Sequence, residues 1–148
     1  MTAEGNSSRT PTSAKDAMAW HANALLGVYG EAVGFDEKPE CGFFKTRLVK
    51  GGPWVPARIW LKQEIGDDGE LLSDESYCCE IAGQRRDAWD EWPFLARNPI
   101  RESEYDYLNA MAAWATDHAS DHPAATPGKP VDWRTARLPE FQPRKEVP

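Results

Sequence analysis

The segment from Cys41 to Lys62, CGFFKTRLVKGGPWVPARIWLK, constrains this chain more than any other. Two runs of aromatic and β-branched residues flank Gly51-Gly52, a pattern that predicts an antiparallel hairpin over 43–62. Centring the turn on the two glycines sets Val49 against Trp54, Leu48 against Val55, Lys45 against Arg58 and Phe43 against Trp60. Side chains alternate across a strand, so one face carries Phe44, Thr46, Leu48, Val55, Ala57, Ile59 and Leu61, hardly a polar atom among them. The other carries Phe43, Lys45, Arg47, Val49, Trp54, Pro56, Arg58, Trp60 and Lys62. A slip of one residue would mix the two sets, so the sorting supports the parity of the pairing. Pro53 has no N–H with which to close a two-residue turn, which calls for a looser loop over 50–53 in the same register. At Pro56 a third strand alongside would lose one ladder bond, or that edge lies open.

Outside this segment the chain has little to pack. Leu, Ile, Val and Phe make up only 24 of 148 residues, so the core must lean on seven Trp and four Tyr. Residues 1–13 are small and polar, which predicts disorder. Residues 14–40 read as a weakly anchored helix and a linker: Ala14, Ala17, Met18, His21, Ala24 and Leu25 recur at helical spacing, Ser13 suits the N-cap, and Gly27 and Gly30 offer stops. Asp68-Gly69 marks a second turn, 76–83 a third strand, and Trp89, Trp92, Phe94 and Leu95 an apolar knot. From about 101 to 120 a helix aligns Tyr105, Leu108, Met111, Ala112 and Ala115 on one stripe. Residues 121–148 form a Pro-rich extended tail. The expected fold is therefore a single α+β domain over 41–120, a small antiparallel sheet of about three strands packed against one C-terminal helix.

The hairpin's second face mixes cations with rings. Residues 41–62 hold five basic residues and no acid, 63–84 hold seven acids and no base, and the whole chain carries a formal charge of −7. Cations placed to meet phosphates, beside rings on which bases stack, point to single-stranded nucleic acid held by Phe43, Lys45, Arg47, Trp54, Arg58, Trp60 and Lys62. Ordinary sheets also lay Arg and Lys stems over Trp faces, and the acidic segment is placed to neutralise the hairpin. The overall charge opposes a phosphate partner. His118 and His122, four apart, have a spacing used for zinc, but no ligand pair accompanies them at diagnostic spacing, and no metal or cofactor is expected. Cys78 and Cys79 alternate across their strand, so one should be buried and one exposed; with Cys41 they make neither a disulfide framework nor a zinc pattern. No glycine-rich phosphate loop, GxSxG or HExxH motif occurs, and the expectation is a chain without enzymatic activity. With no apolar run long enough for a membrane span and no signal-peptide pattern, the expected location is the cytoplasm.

The stretches GFFKTRLVKGGPWVPARIW, ARNPIRESEYDYLNAMAAWATDHASDHP and PGKPVDW resemble small proteins encoded by bacteriophages and prophages, over about 42–133. That group has no established activity, so the resemblance implies a phage setting in a host-cell cytoplasm and transfers no catalytic residue. The leading expectation is a phage-type accessory protein that contacts nucleic acid through the hairpin. The alternatives are an inhibitor or adaptor that binds a host or phage protein through its acidic surface, 64–80 and 102–106, and a minor structural virion protein. Nothing in the pattern sets an oligomeric state. The hairpin's second face separates these cases: open, it suits nucleic acid; covered by the tail or the N-terminal helix, it does not.

Overall fold

The computed structural model describes residues 10–30, 38–132, 134 and 141. Helices α1 (Ala14–Ala17) and α2 (Ala19–Leu25) precede strands β1 (Gly42–Arg47), β2 (Trp54–Lys62), β3 (Ser76–Ile81) and β4 (Gln84–Arg86). Helices α3 (Ala88–Leu95) and α4 (Glu102–His118) follow, and then a 3-10 turn, Pro123–Ala125. The fold is α+β, with the strands antiparallel and in chain order, β1-β2-β3-β4.

The hairpin forms, two residues out of the glycine-centred register. Arg47 faces Trp54, Thr46 faces Val55 and Phe43 faces Arg58, which leaves a six-residue loop, 48–53. Inside it the Gly52 N–H donates to the Val49 carbonyl at 3.0 Å, a closure that does not call on the proline, and Gly51 takes a φ of +78°. The Gly51 carbonyl accepts from the Val131 N–H at 2.9 Å, so the start of the tail is fastened to the loop. An even shift preserves alternation: Phe44, Thr46, Val55, Ala57 and Ile59 are all buried, as their parity requires. Leu48 is the exception, drawn into the loop and exposed. At Pro56 the carbonyl accepts from the Ala82 N–H at 2.9 Å, and the reciprocal bond is the one a proline cannot make.

The sheet has a fourth strand. Ile81 faces Gln84 across a two-residue turn in which Ala82 (φ +52°) and Gly83 (φ +80°) both adopt the left-handed conformation that such tight hairpins need. Gln84, Arg85 and Arg86 carry no apolar residue to betray a strand.

Two layers cover the sheet, one on each side, and the expected C-terminal helix is one of them, on the face opposite the apolar one. The apolar face, with Phe44, Ala57, Ile59, Cys79 and Ile81, meets Ala88, Trp92 and Leu95 of α3 and Ala96 just beyond it. Trp20 of α2 joins the cluster, 5.0 Å from Trp92 and 6.2 Å from Phe44 between ring centres. The apolar knot is thus a helix, started by Asp87, whose carboxylate accepts from the N–H groups of Trp89 (2.8 Å) and Asp90 (3.1 Å). Helix α4 lies on the opposite, cationic and aromatic face. There Tyr105 packs on Phe43 at 4.9 Å between ring centres, Glu104 pairs with Lys45 at 3.1 Å, and Leu108 is buried.

The N-terminal part is better anchored than its sequence suggests. The helix breaks at Met18 into α1 and α2, with Ser13 capping the first by accepting from the Asp16 N–H at 3.1 Å. His21 is buried, and its Nε2 lies 3.1 Å from the Phe43 carbonyl and 2.8 Å from that of Ile100. Both partners are acceptors, so Nε2 carries the hydrogen. Around it, the Ile100 N–H donates to Phe43 O at 2.9 Å and the Lys45 N–H to Asn98 O at 3.0 Å, so residues 98–100 line the outer edge of β1. The expected disordered segment, 1–13, is correct neither at Thr12 nor at Ser13. Thr12 donates through its N–H (3.0 Å) and hydroxyl (2.7 Å) to Glu75. Residues 1–9, linker residues 31–37 and most of the expected tail lie outside the described residues.

Candidate nucleic-acid interface

The residues expected to share one interface do lie on one side of the hairpin, but α4 divides them. Phe43 and Lys45 are half-buried beneath it, engaged with Tyr105 and Glu104. Those two leave the candidate set. Arg47 and Trp54 stand where the hairpin emerges beside α4, with the Arg47 guanidinium 3.9 Å and the Lys45 ammonium 5.0 Å from the centre of the Trp54 ring. Pro56, next along β2, is buried.

Beyond Pro56 the face opens. Arg58 lies beside Glu80 on β3, Nε to carboxylate 3.6 Å, and Glu80 in turn faces Arg85 on β4. The Arg58 and Arg85 guanidiniums stand 4.4 and 4.9 Å from the centre of the half-buried Trp60 ring. Arg85 also donates to the Cys78 Sγ at 3.3 Å. Lys62, exposed, reaches Glu64 at 3.9 Å. Arg85 is the member that sequence reasoning missed, and its only local signal was a glycine turn at the end of a readable strand.

Charge neutralisation follows the segment pattern in part. Lys45, Arg58 and Lys62 each meet a carboxylate, and Glu64 and Glu80 come from the acidic 63–84 stretch. Among the described residues Arg47 has no such partner. Arg58 Nε is itself screened from water, and at 3.6 Å its approach to Glu80 is an ion pair without a hydrogen bond.

The cysteines divide as strand alternation requires, Cys79 buried and Cys78 half-exposed. Burial above all, with Glu91 and Asp87 adding to it, pushes the Cys79 thiol up to about 12. Burial likewise raises Cys41 to about 11, helped by Glu40 and Glu75. Both thiols are therefore protonated at neutral pH and poor nucleophiles. His118 is exposed at the end of α4, whereas His122 is buried past it, its Nδ1 accepting from the Ala124 N–H at 3.0 Å. Among the described residues no cluster of three His, Cys, Asp or Glu is placed to hold a metal, and no helix is long and apolar enough to cross a membrane.

No family model matches this chain, and neither the curated proteins nor the solved structures include a significant match.

Proposed function

We propose that the chain is a non-enzymatic, phage-type accessory protein that holds single-stranded nucleic acid against the open part of its sheet, with Trp60 as the stacking platform and Arg58, Lys62 and Arg85 meeting phosphates. The observation that supports this most is the pair of guanidiniums at Trp60, 4.4 and 4.9 Å from the ring centre. Stacked Trp and Arg planes offer a base a sequence-tolerant surface, and the same cations favour the backbone beside it. With Glu64 and Glu80 inside the patch and a chain charge of −7, binding is expected to be weak and strongly salt-dependent.

The test is quenching of Trp fluorescence by an oligothymidylate at low and at physiological salt. Trp60→Ala should weaken binding by about 1–3 kcal/mol through lost stacking. Arg85→Ala should weaken it too and reduce the salt slope by about 0.7, one counterion fewer being released from a single strand. Absence of quenching at low salt would overturn the proposal. Weight would then pass to a basic protein partner, which has its own support: Phe94 on α3 is 64% exposed, four residues along the helix from the exposed Asp90, an aromatic and acidic pairing of the kind that anchors interfaces.

A further inference from the structure

A pocket of about 320 Å³ opens where the end of the hairpin, α4 and the 3-10 turn meet. Leu108, Met111 and Pro123 supply apolar wall, and the polar side chains among the described lining residues are Arg47, Trp54 and His122. All three carry a donor. The Arg47 guanidinium lies over the Trp54 ring, and no carboxylate among the described residues is within ion-pair distance of it. His122 is 8% exposed, and its Nδ1 is taken by the Ala124 N–H, which leaves Nε2 to carry the hydrogen of the neutral ring. The indole of Trp54 has an N–H and no acceptor.

We infer that this pocket binds a small planar organic anion, an aryl carboxylate, with its ring among Leu108, Met111 and Trp54 and its carboxylate on the Arg47 guanidinium. An apolar pocket whose polar lining side chains are a guanidinium, an indole and an imidazole, with no carboxylate, selects against amines and other cations. A nucleobase edge needs acceptors as well as donors, so the pocket also disfavours a base. The planar guanidinium fork matches a carboxylate with two parallel bonds. The volume, near the lower end for ligand pockets, holds a bicyclic body at most. The inference stands apart from the nucleic-acid proposal, which rests on Trp60 and its neighbours.

The probes are 2-naphthoate and its uncharged counterpart 2-naphthamide, titrated into the full chain and followed by amide NMR shifts. Naphthoate should saturate, with shifts centred on Gly52, Leu108 and Ala124, and naphthamide should bind at least tenfold more weakly. Arg47→Gln, a change at an exposed position, should cost naphthoate at least tenfold while leaving the rest of the spectrum in place. Met111→Trp should fill the pocket and abolish binding, whereas Trp60→Ala should leave it unchanged. Equal affinity for the two probes, indifference to Arg47→Gln, an equal loss in Trp60→Ala, or no saturable shifts at millimolar naphthoate would each overturn the inference.

Discussion

Gly42 and His21 fit each other at atomic distance. A Cβ placed on Gly42 would lie 2.5 Å from His21 Cδ2 and 2.8 Å from Cγ, nearer than real carbon atoms approach. The imidazole cannot retreat without giving up the carbonyls of Phe43 and Ile100. Gly42→Ala should therefore lower stability by about 1–3 kcal/mol, read as a shifted denaturant midpoint at constant slope. In a His21→Ala background the same change should cost much less, because the clash is gone; simple additivity would mean that the two residues do not meet. Glu75 acts on the same N-terminal segment through charge. Hydrogen bonds from Gln63, and then from the Thr12 hydroxyl and N–H, hold its carboxyl below the ordinary 4.5 against a smaller opposing effect of burial. A carboxylate whose folded value is depressed contributes stability above its unfolded value and loses it as pH falls through the folded one. Thr12 should accordingly be fastened at neutral pH and released in acid, below about pH 4.5, with a fall in its amide's protection relative to the intrinsic exchange rate. Glu75→Gln should remove that acid dependence, and a protection factor that ignores both acid and the substitution would show the tie to be inconsequential.

The two helices that cover the sheet differ in what they hold. Leu95 of α3 is fully buried in the main core, whereas Leu108 of α4 is buried but borders two pockets that Trp54 also lines. Leu95→Ala should cost about 3–5 kcal/mol and Leu108→Ala about 2 kcal/mol, since a side chain beside existing space leaves fewer contacts to lose. Urea midpoints of the two variants decide this, and a larger loss at Leu108 would place the centre of the core on the wrong side of the sheet. This division also explains what the sequence revealed. The hairpin, its two faces, the third strand and the span of α4 were legible because each depends on a local period of two or of 3.6 residues. The exact register was not, because the loop closes from Gly52 to Val49 and is tied to Val131, eighty residues on, which no local period reveals. Helix α3 was hidden by Pro93 inside an eight-residue element, although Asp87 with Asp90 and Glu91 made a readable start. Strand β4 has no apolar residue to alternate, so Arg85 could not be assigned to the candidate interface. The side taken by α4 was beyond any period: Phe43, Trp54 and Pro56 serve as well for packing as for recognition, and Trp92 and Leu95 already fill the apolar face. Of the candidate interface, Arg58, Trp60 and Lys62 followed from parity alone, and Phe43 and Lys45 were lost to the helix above them.

Across the whole molecule, the N-terminal segment, the strip 98–100 and the start of the tail each bind back onto the hairpin or its neighbours. Truncation should expose this arrangement. Removing residues 1–9 should leave the melting temperature unchanged, whereas removing 1–13 also takes the Ser13 cap and the Thr12 bonds to Glu75 and should lower it measurably. Equal melting of the two truncated chains would show that these contacts add nothing to the fold. The same layout governs how copies of the chain behave when crowded. One border strand of the sheet, β1, has two of its outward backbone groups, the Phe43 carbonyl and the Lys45 N–H, engaged by Ile100 and Asn98. The other border strand, β4, is three residues long and carries Arg85 and Arg86. A second copy adding its own β4 there would bring guanidinium against guanidinium over a contact too short to offset the repulsion. Strand-by-strand stacking of copies, the route by which sheets grow into fibrils, therefore meets a partly occupied border on one side and a charged stub on the other.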